Sequence, residues 1–226
     1  MNRTAITRLF FVALAVALAV GCSPRNAIER VAAGGGDCAE SAWPETPESF
    51  SDYSGSGAAI DDFIGDWSLL DQHGCRTDSS QFLGAVTMLD VSSVWCGPCN
   101  EAASTSMEVF EAIRASHRAS WLITVLVQDE FAGPANVSDA EEWAEAYDIE
   151  YPVVIDESES TRSDYGVIAF PVFLFIAPNG QVFERIEGKP EDSEILELME
   201  YGLEEWASDL RPEDEIPDPA AEETLE

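Results

Sequence analysis

The 226-residue chain has little positive charge: 11 Lys and Arg stand against 44 Asp and Glu, for a formal net charge of −33. Lys189 is the one lysine. Nucleic acid is excluded as a partner, because phosphate contacts need basic patches and none is visible. Anionic lipid headgroups would repel the same surface. The acidity reads as a solubility trait or an adaptation to salt; an acidic docking face for a basic partner is the alternative. Metal ligands are also scarce. There are two histidines, five cysteines and a single Cys-x-x-Cys, whereas a structural zinc site needs four ligands, usually in two clusters. Long apolar runs are few. Leu9 to Val20 is uninterrupted but too short to span a bilayer comfortably. No internal repeat is evident.

That run follows Arg3 and Arg8 and ends in Ala19-Val20-Gly21-Cys22, so residues 1–21 read as a signal peptide. Small residues before a cysteine resemble a bacterial lipobox, which implies lipidation of Cys22; an ordinary cleaved signal with a chance cysteine is the alternative. Ser23 in place of aspartate implies outer-membrane sorting. Export places the other cysteines where disulfides persist. Residues 22–58, rich in Gly, Ser, Pro, Asp and Glu, read as a flexible tether, and residues 211–226 as an acidic disordered tail.

Between them, residues 59–210 alternate strand and helix patterns. Asp66 to Thr77 reads as a hairpin turning at His73-Gly74. Strands are expected at Ala85–Ser93, Trp121–Gln128, Tyr151–Asp156 and from Pro171, with an Asn179-Gly180 turn into a last strand. Helices are expected at Asn100–Arg118, at Ser138–Tyr147 with a Ser138–Glu141 capping box, briefly near Ser160, and from Glu191 to Leu210. Trp121, Trp143 and Trp206 are expected in the core. The class is α/β, with a central mixed sheet flanked by helices.

The stretch Val94-Trp95-Cys96-Gly97-Pro98-Cys99-Asn100 carries the chemistry. A bridge over so short a loop constrains little chain entropy, which argues against a purely structural staple. The motif lies where a buried strand meets a helix. Cys96 at the helix N-terminus gains unpaired N–H groups and the positive dipole end, both favouring a thiolate. Pro98 suits the first turn, where its missing N–H has no partner to lose. Cys99, one turn on, is expected to be more buried. The pair thus offers an exposed attacker and a resolving thiol. Cys38 and Cys75 are left to bond each other, stay free or serve as extra redox partners. His73 reads as a turn residue and His117 as a helix-end residue.

Trp95-Cys96-Gly97-Pro98-Cys99 resembles the active site of the thioredoxin family. Asp90 matches that family's buried acid, which assists proton transfer at the second cysteine. Phe170-Pro171 matches its cis-proline facing the cysteines, which leaves the backbone of residue 170 free for an extended substrate. Trp95, Gly97 and Pro98 would form the docking surface. The helix–strand insert between Cys96 and Pro171, with the N-terminal hairpin and anchor, resembles the extracytoplasmic TlpA/ResA-like thiol–disulfide oxidoreductases. That resemblance implies a lipid-anchored periplasmic protein, a reductant of disulfides in exported proteins, recycled by a transmembrane electron donor. It calls for no cofactor and no metal. Three departures stand out: Phe170 is bulkier than the usual residue, Asn100 replaces a common base, and Ser92-Ser93-Val94 implies a looser loop. A thiol peroxidase would carry Pro-x-x-x-Thr-x-x-Cys, absent around Cys96. A metallochaperone would need a Cys-x-x-x-Cys pair with a histidine. A non-catalytic binding lipoprotein on the same scaffold is the remaining rival.

Overall fold

The computed structural model describes Cys38 and residues 43–212. The stretch expected as a signal peptide, Cys22, the first part of the expected tether and the expected tail beyond Pro212 lie outside the described residues. Among the described residues, no helix is long and apolar enough to cross a membrane.

The chain order is β1 (Ser68–Asp71), β2 (Arg76–Asp78), β3 (Val86–Ser93), α1 (Gly97–Ser116), β4 (Ser120–Gln128), α2 (Val137–Ala146), β5 (Val153–Ile155), α3 (Ser160–Asp164), β6 (Val172–Ile176), β7 (Val182–Glu187) and α4 (Asp192–Glu205). They build one seven-stranded sheet in the order β2-β1-β5-β4-β3-β6-β7. β3, β4 and β5 run parallel, and the strands outside them add antiparallel edges. Every residue of β3 and β4 is buried, as expected for parallel strands covered on both faces. This is the mixed sheet expected from the alternating pattern, in the arrangement that the resemblance to the thioredoxin family implies. The insert supplies α2 and β5, and β5 joins the N-terminal hairpin to the central strands.

The topology gathers one functional edge. Parallel β3 ends where antiparallel β6 begins, Val91 pairing with Val172. The loop after β3 and the segment before β6 therefore meet. α1 packs back across β4, and α4 lies against both α1 and β3.

Several expectations need correction. The tether does not extend to Ala58. Trp43 is 4% exposed, donates Nε1–H to Asp71 Oδ2 at 2.6 Å and meets Trp121 edge to face. Tyr53 donates its hydroxyl to the Ile64 carbonyl at 2.8 Å. Isolated aromatics in a polar stretch make no period, so composition alone hides them. At the other end, Arg211 is buried and its N–H donates to the Gly84 carbonyl at 2.7 Å, so the domain runs past Leu210. α2 is capped two residues earlier than expected: Asn136 and Asp139 form the capping box, since the helix starts at Val137. Trp121 and Trp143 are core, but Trp206 is only half-buried, packed on Phe183 at 5.0 Å. His73 lies in the β1–β2 turn, and His117 caps the end of α1.

Cys38 and Cys75 form a disulfide across 37 positions. Beside it, buried Asp71 accepts four hydrogen bonds, from Trp43 Nε1, His73 N, Cys75 N and Thr77 Oγ1. Removing the carboxylate strands those donors. Asp71→Ala is expected to lower the unfolding free energy by about 3 kcal/mol in urea titrations; a loss below about 1 kcal/mol contradicts this anchoring role.

Candidate active site

Cys96 is the N-cap of α1. Its extended backbone ends the β3 loop, and its sulfur sits where the first helical N–H groups lack intrahelical partners. Cys99 N–H donates to Cys96 Sγ at 3.2 Å. Gly97 and Pro98 fill the exposed first turn, Pro98 without forfeiting a hydrogen bond. Cys96 and Cys99 are joined in a disulfide of 2.08 Å.

The expected asymmetry is small in this bridged form. Cys96 is 3% exposed and Cys99 0%. Cys96 was expected to be accessible and is buried instead: its sulfur is occupied by Cys99 and it packs into the core cluster. Around it the surface is open, with Trp95 50% exposed and Gly97 and Pro98 exposed.

Nor is the loop loose. Ser92 and Ser93 are fully buried. Val94 N–H donates to the Gln128 carbonyl at 2.9 Å and Cys96 N–H to Ser93 O at 3.1 Å. Asn100 Nδ2 donates to the carbonyls of Val94 and Cys96, at 3.0 and 2.7 Å. Tyr147 of the insert donates its hydroxyl to Asn100 Oδ1 at 2.6 Å.

A closed ring of side chains borders the disulfide. Trp95 Nε1 donates to Gln128 Oε1 (3.0 Å), and Gln128 Nε2 donates to Glu159 Oε2 (3.1 Å). Arg162 pairs with the same Glu159 oxygen at 3.0 Å and lies 5.5 Å from the centre of the Phe170 ring. Phe170 meets Trp95 edge to face at 6.1 Å. The Phe170–Pro171 peptide is cis. Among the described residues the backbone N–H and carbonyl of Phe170 have no hydrogen-bond partner.

Asp90 lies below, on β3. It lines a cavity of about 10 Å³ with Ala102, Thr105 and Ser106 of α1, Tyr151 and Asp192. Ala102 is three residues on from Cys99, so the acid sits under the helix that carries Cys99. Burial pushes the Asp90 carboxyl up to about 7, although the Ser92 hydroxyl donates to it at 2.5 Å and works the other way. The same burial, with Asp90 nearby, raises Tyr151 above the usual phenol range.

Thus Trp95, Cys96, Gly97, Pro98, Phe170 and Pro171 form one edge, with Asp90 and Cys99 beneath. Cys38 and Cys75 lie apart, at the hairpin. Nothing in the sequence pattern marks Gln128, Glu159, Arg162 or Tyr147; each reaches the site through the fold. Among the described residues, no group of three or more His, Cys, Asp or Glu side chains is arranged to hold a metal ion.

With this geometry in view, the relatives are informative. The family described as Redoxin matches residues 55–199. The thiol-disulfide oxidoreductase ResA of Bacillus thuringiensis subsp. konkukian is 22% identical over 131 residues, covering 58% of this chain and 71% of its own. ResA of Bacillus subtilis is 24% identical over 131 residues, covering 58% and 69%. Among solved structures, a putative thiol:disulfide interchange protein DsbE from Chlorobium tepidum superposes with a TM-score of 0.54 at 23% identity, over 64% of this chain and 98% of that one.

The Asp90 environment has a pH signature. A carboxyl raised to about 7 holds, in the folded state, a proton that the unfolded chain has released. The folded state then binds more protons, so its stability falls as pH rises between about 4 and 7. Asp90→Asn is expected to flatten that slope and to stabilise the fold by up to about 4 kcal/mol near pH 8, measured by urea unfolding across pH. An unchanged slope contradicts the assignment.

Proposed function

Belonging to the redoxin family, the chain is a thioredoxin-like thiol–disulfide oxidoreductase, and we propose that Cys96 and Cys99 carry its electrons. One observation carries this reading: the Cys96–Cys99 bridge is built on a helix cap, with Cys96 Sγ accepting the Cys99 N–H. A helix N-terminus favours the negative sulfur over the thiol.

The exchange balances as follows. In the reduced protein the Cys96 thiolate attacks one sulfur of a substrate disulfide. A Cys96–substrate bond forms, and the other substrate sulfur leaves as a thiolate. Cys99 gives up its proton, for which Asp90 is the acceptor from below, and its thiolate attacks Cys96 Sγ. The mixed disulfide breaks, the second substrate sulfur leaves, and Cys96–Cys99 is oxidised to the bridged form. Two electrons have moved from protein to substrate. An acid raised to about 7 is poised for this near neutral pH, since it both accepts and returns a proton there.

Trp95 and Phe170 flank the exchange, and Gly97 and Pro98 leave its approach unobstructed. The backbone of Phe170, unpaired among the described residues, supports an extended cysteine-bearing segment docking along this edge. The substrates proposed are exported proteins with cysteines or disulfides, reduced rather than oxidised, with a transmembrane dithiol donor restoring the open form. Cys22 as a lipidated N-terminus, followed by a tether, would hold the domain at the periplasmic face of a bacterial membrane, the outer membrane by the reading of Ser23.

Cys96→Ser is expected to abolish reduction of insulin by dithiothreitol-recycled protein. Cys99→Ser is expected to accumulate mixed disulfides on Cys96, seen as dithiothreitol-sensitive adducts on gels. Turnover by Cys96→Ser at the wild-type rate sinks the proposal.

A further inference from the structure

The residue after the Cys-x-x-Cys is a neutral amide, with no charge to lend a thiolate. Its side chain has another use. Both Nδ2 hydrogens are committed, to the carbonyls of Val94 and Cys96 at 3.0 and 2.7 Å. The Asn100 backbone N–H also donates to Cys96 O, at 3.1 Å. The Cys96 carbonyl thus receives two N–H donors from one residue.

We propose that Asn100 is a positioning residue for Cys96, and that Tyr147 of the insert holds it in place. This rests on Cys96 being the attacking sulfur. An amide has two ends, and only the nitrogen end satisfies two carbonyls. Flipped, Oδ1 would face two acceptors. Tyr147 donates its hydroxyl to Oδ1 at 2.6 Å and so secures the productive orientation. Burial keeps that hydroxyl protonated to higher pH than usual. Tyr147 is itself placed by Trp143, edge to face at 5.0 Å, and Trp143 is buried in α2. The helix–strand insert therefore reaches the dithiol through one hydroxyl and one amide.

Two effects on Cys96 follow. The turn from Val94 to Cys96 aims the sulfur at the Cys99 N–H, and the amide holds that turn from both carbonyls. Those carbonyls also carry partial negative charge within two residues of the sulfur. Each N–H they accept offsets some of it, which makes a thiolate less costly there. The titratable groups facing this centre are Cys99 on α1, Asp90 on β3, Tyr147 at the end of α2, and Glu159 and Arg162, which reach it through Gln128, Trp95 and Phe170. The proposed pair changes none of their charges.

The test is the pH profile of iodoacetamide labelling at Cys96 in the reduced full-length protein, read by mass spectrometry, beside thermal unfolding. Asn100→Ala is expected to raise the labelling midpoint by about one pH unit, and Tyr147→Phe by about half a unit. Asn100→Asp keeps the shape, removes the donors and is expected to shift it at least as far as Ala. Tyr147→Phe removes only a hydroxyl, so it decides the matter if the Asn100 variants fail to fold. Midpoints equal to wild type, with only thermal stability lowered, overturn the proposal: the pair would then merely staple helix to loop. Wild-type protein inactive in disulfide exchange would instead refute the function on which the proposal rests.

Discussion

The site depends on one contact, a sulfur capping a helix. Cys96 Sγ occupies the place that a serine or aspartate oxygen takes at most helix starts, and Cys99 N–H points into it. A helix N-terminus has donors to spare and a positive dipole end, so the atom placed there is the one whose negative form is favoured. The buried β3 strand delivers Cys96 to that position, and the first turn brings Cys99 beside it. The rest of the edge serves this placement: the Asn100 amide on the loop carbonyls, the Gln128 contacts to Val94 and Trp95, and the aromatic pair of Trp95 and Phe170.

Three buried aspartates show how a strongly acidic chain manages charge indoors. Asp71 meets four donors and anchors the N-terminal segment. Asp156 is pushed up by burial, yet hydrogen bonds from Thr161, Ser158 and Ser160 outweigh that and hold it below the usual carboxylate range. Among the described residues Asp90 is given one donor, the Ser92 hydroxyl, and burial raises it to about 7. The difference lies in donor count, since an unsatisfied carboxylate is expensive to bury. Asp90, left short of donors beneath the Cys99 helix, is the one proposed to trade protons.

Much of this was legible in the residues. Continuous apolar runs marked β3, β4 and β6, turn glycines marked the hairpins, and the Cys-x-x-Cys at a strand–helix junction marked α1 and its cap. Asp90 and Pro171 were found through likeness to a family, not through periodicity. The shortfalls have physical causes. Trp43 and Tyr53 are single aromatics in a polar segment, and such residues leave no pattern. The α2 cap moved because Asn136 and Asp139 compete with Ser138 for the same role. Cys96 is less open than expected because bridging and packing cover its sulfur. The ring through Trp95, Gln128, Glu159, Arg162 and Phe170 joins residues from four separate segments, and only folding reveals it. Asn100 looked like a missing base, whereas its partners are two carbonyls and a tyrosine from the insert.

The central claim is that the Cys96–Cys99 pair cycles between bridged and open forms. The most direct measurement is a redox titration of the intact protein in thiol–disulfide buffers spanning roughly −300 to −100 mV, with free thiols at each cysteine counted by alkylation and mass spectrometry. The account predicts one two-electron transition in which Cys96 and Cys99 open together while Cys38 and Cys75 stay joined. A Cys96–Cys99 pair that remains wholly bridged or wholly open across that range would contradict it.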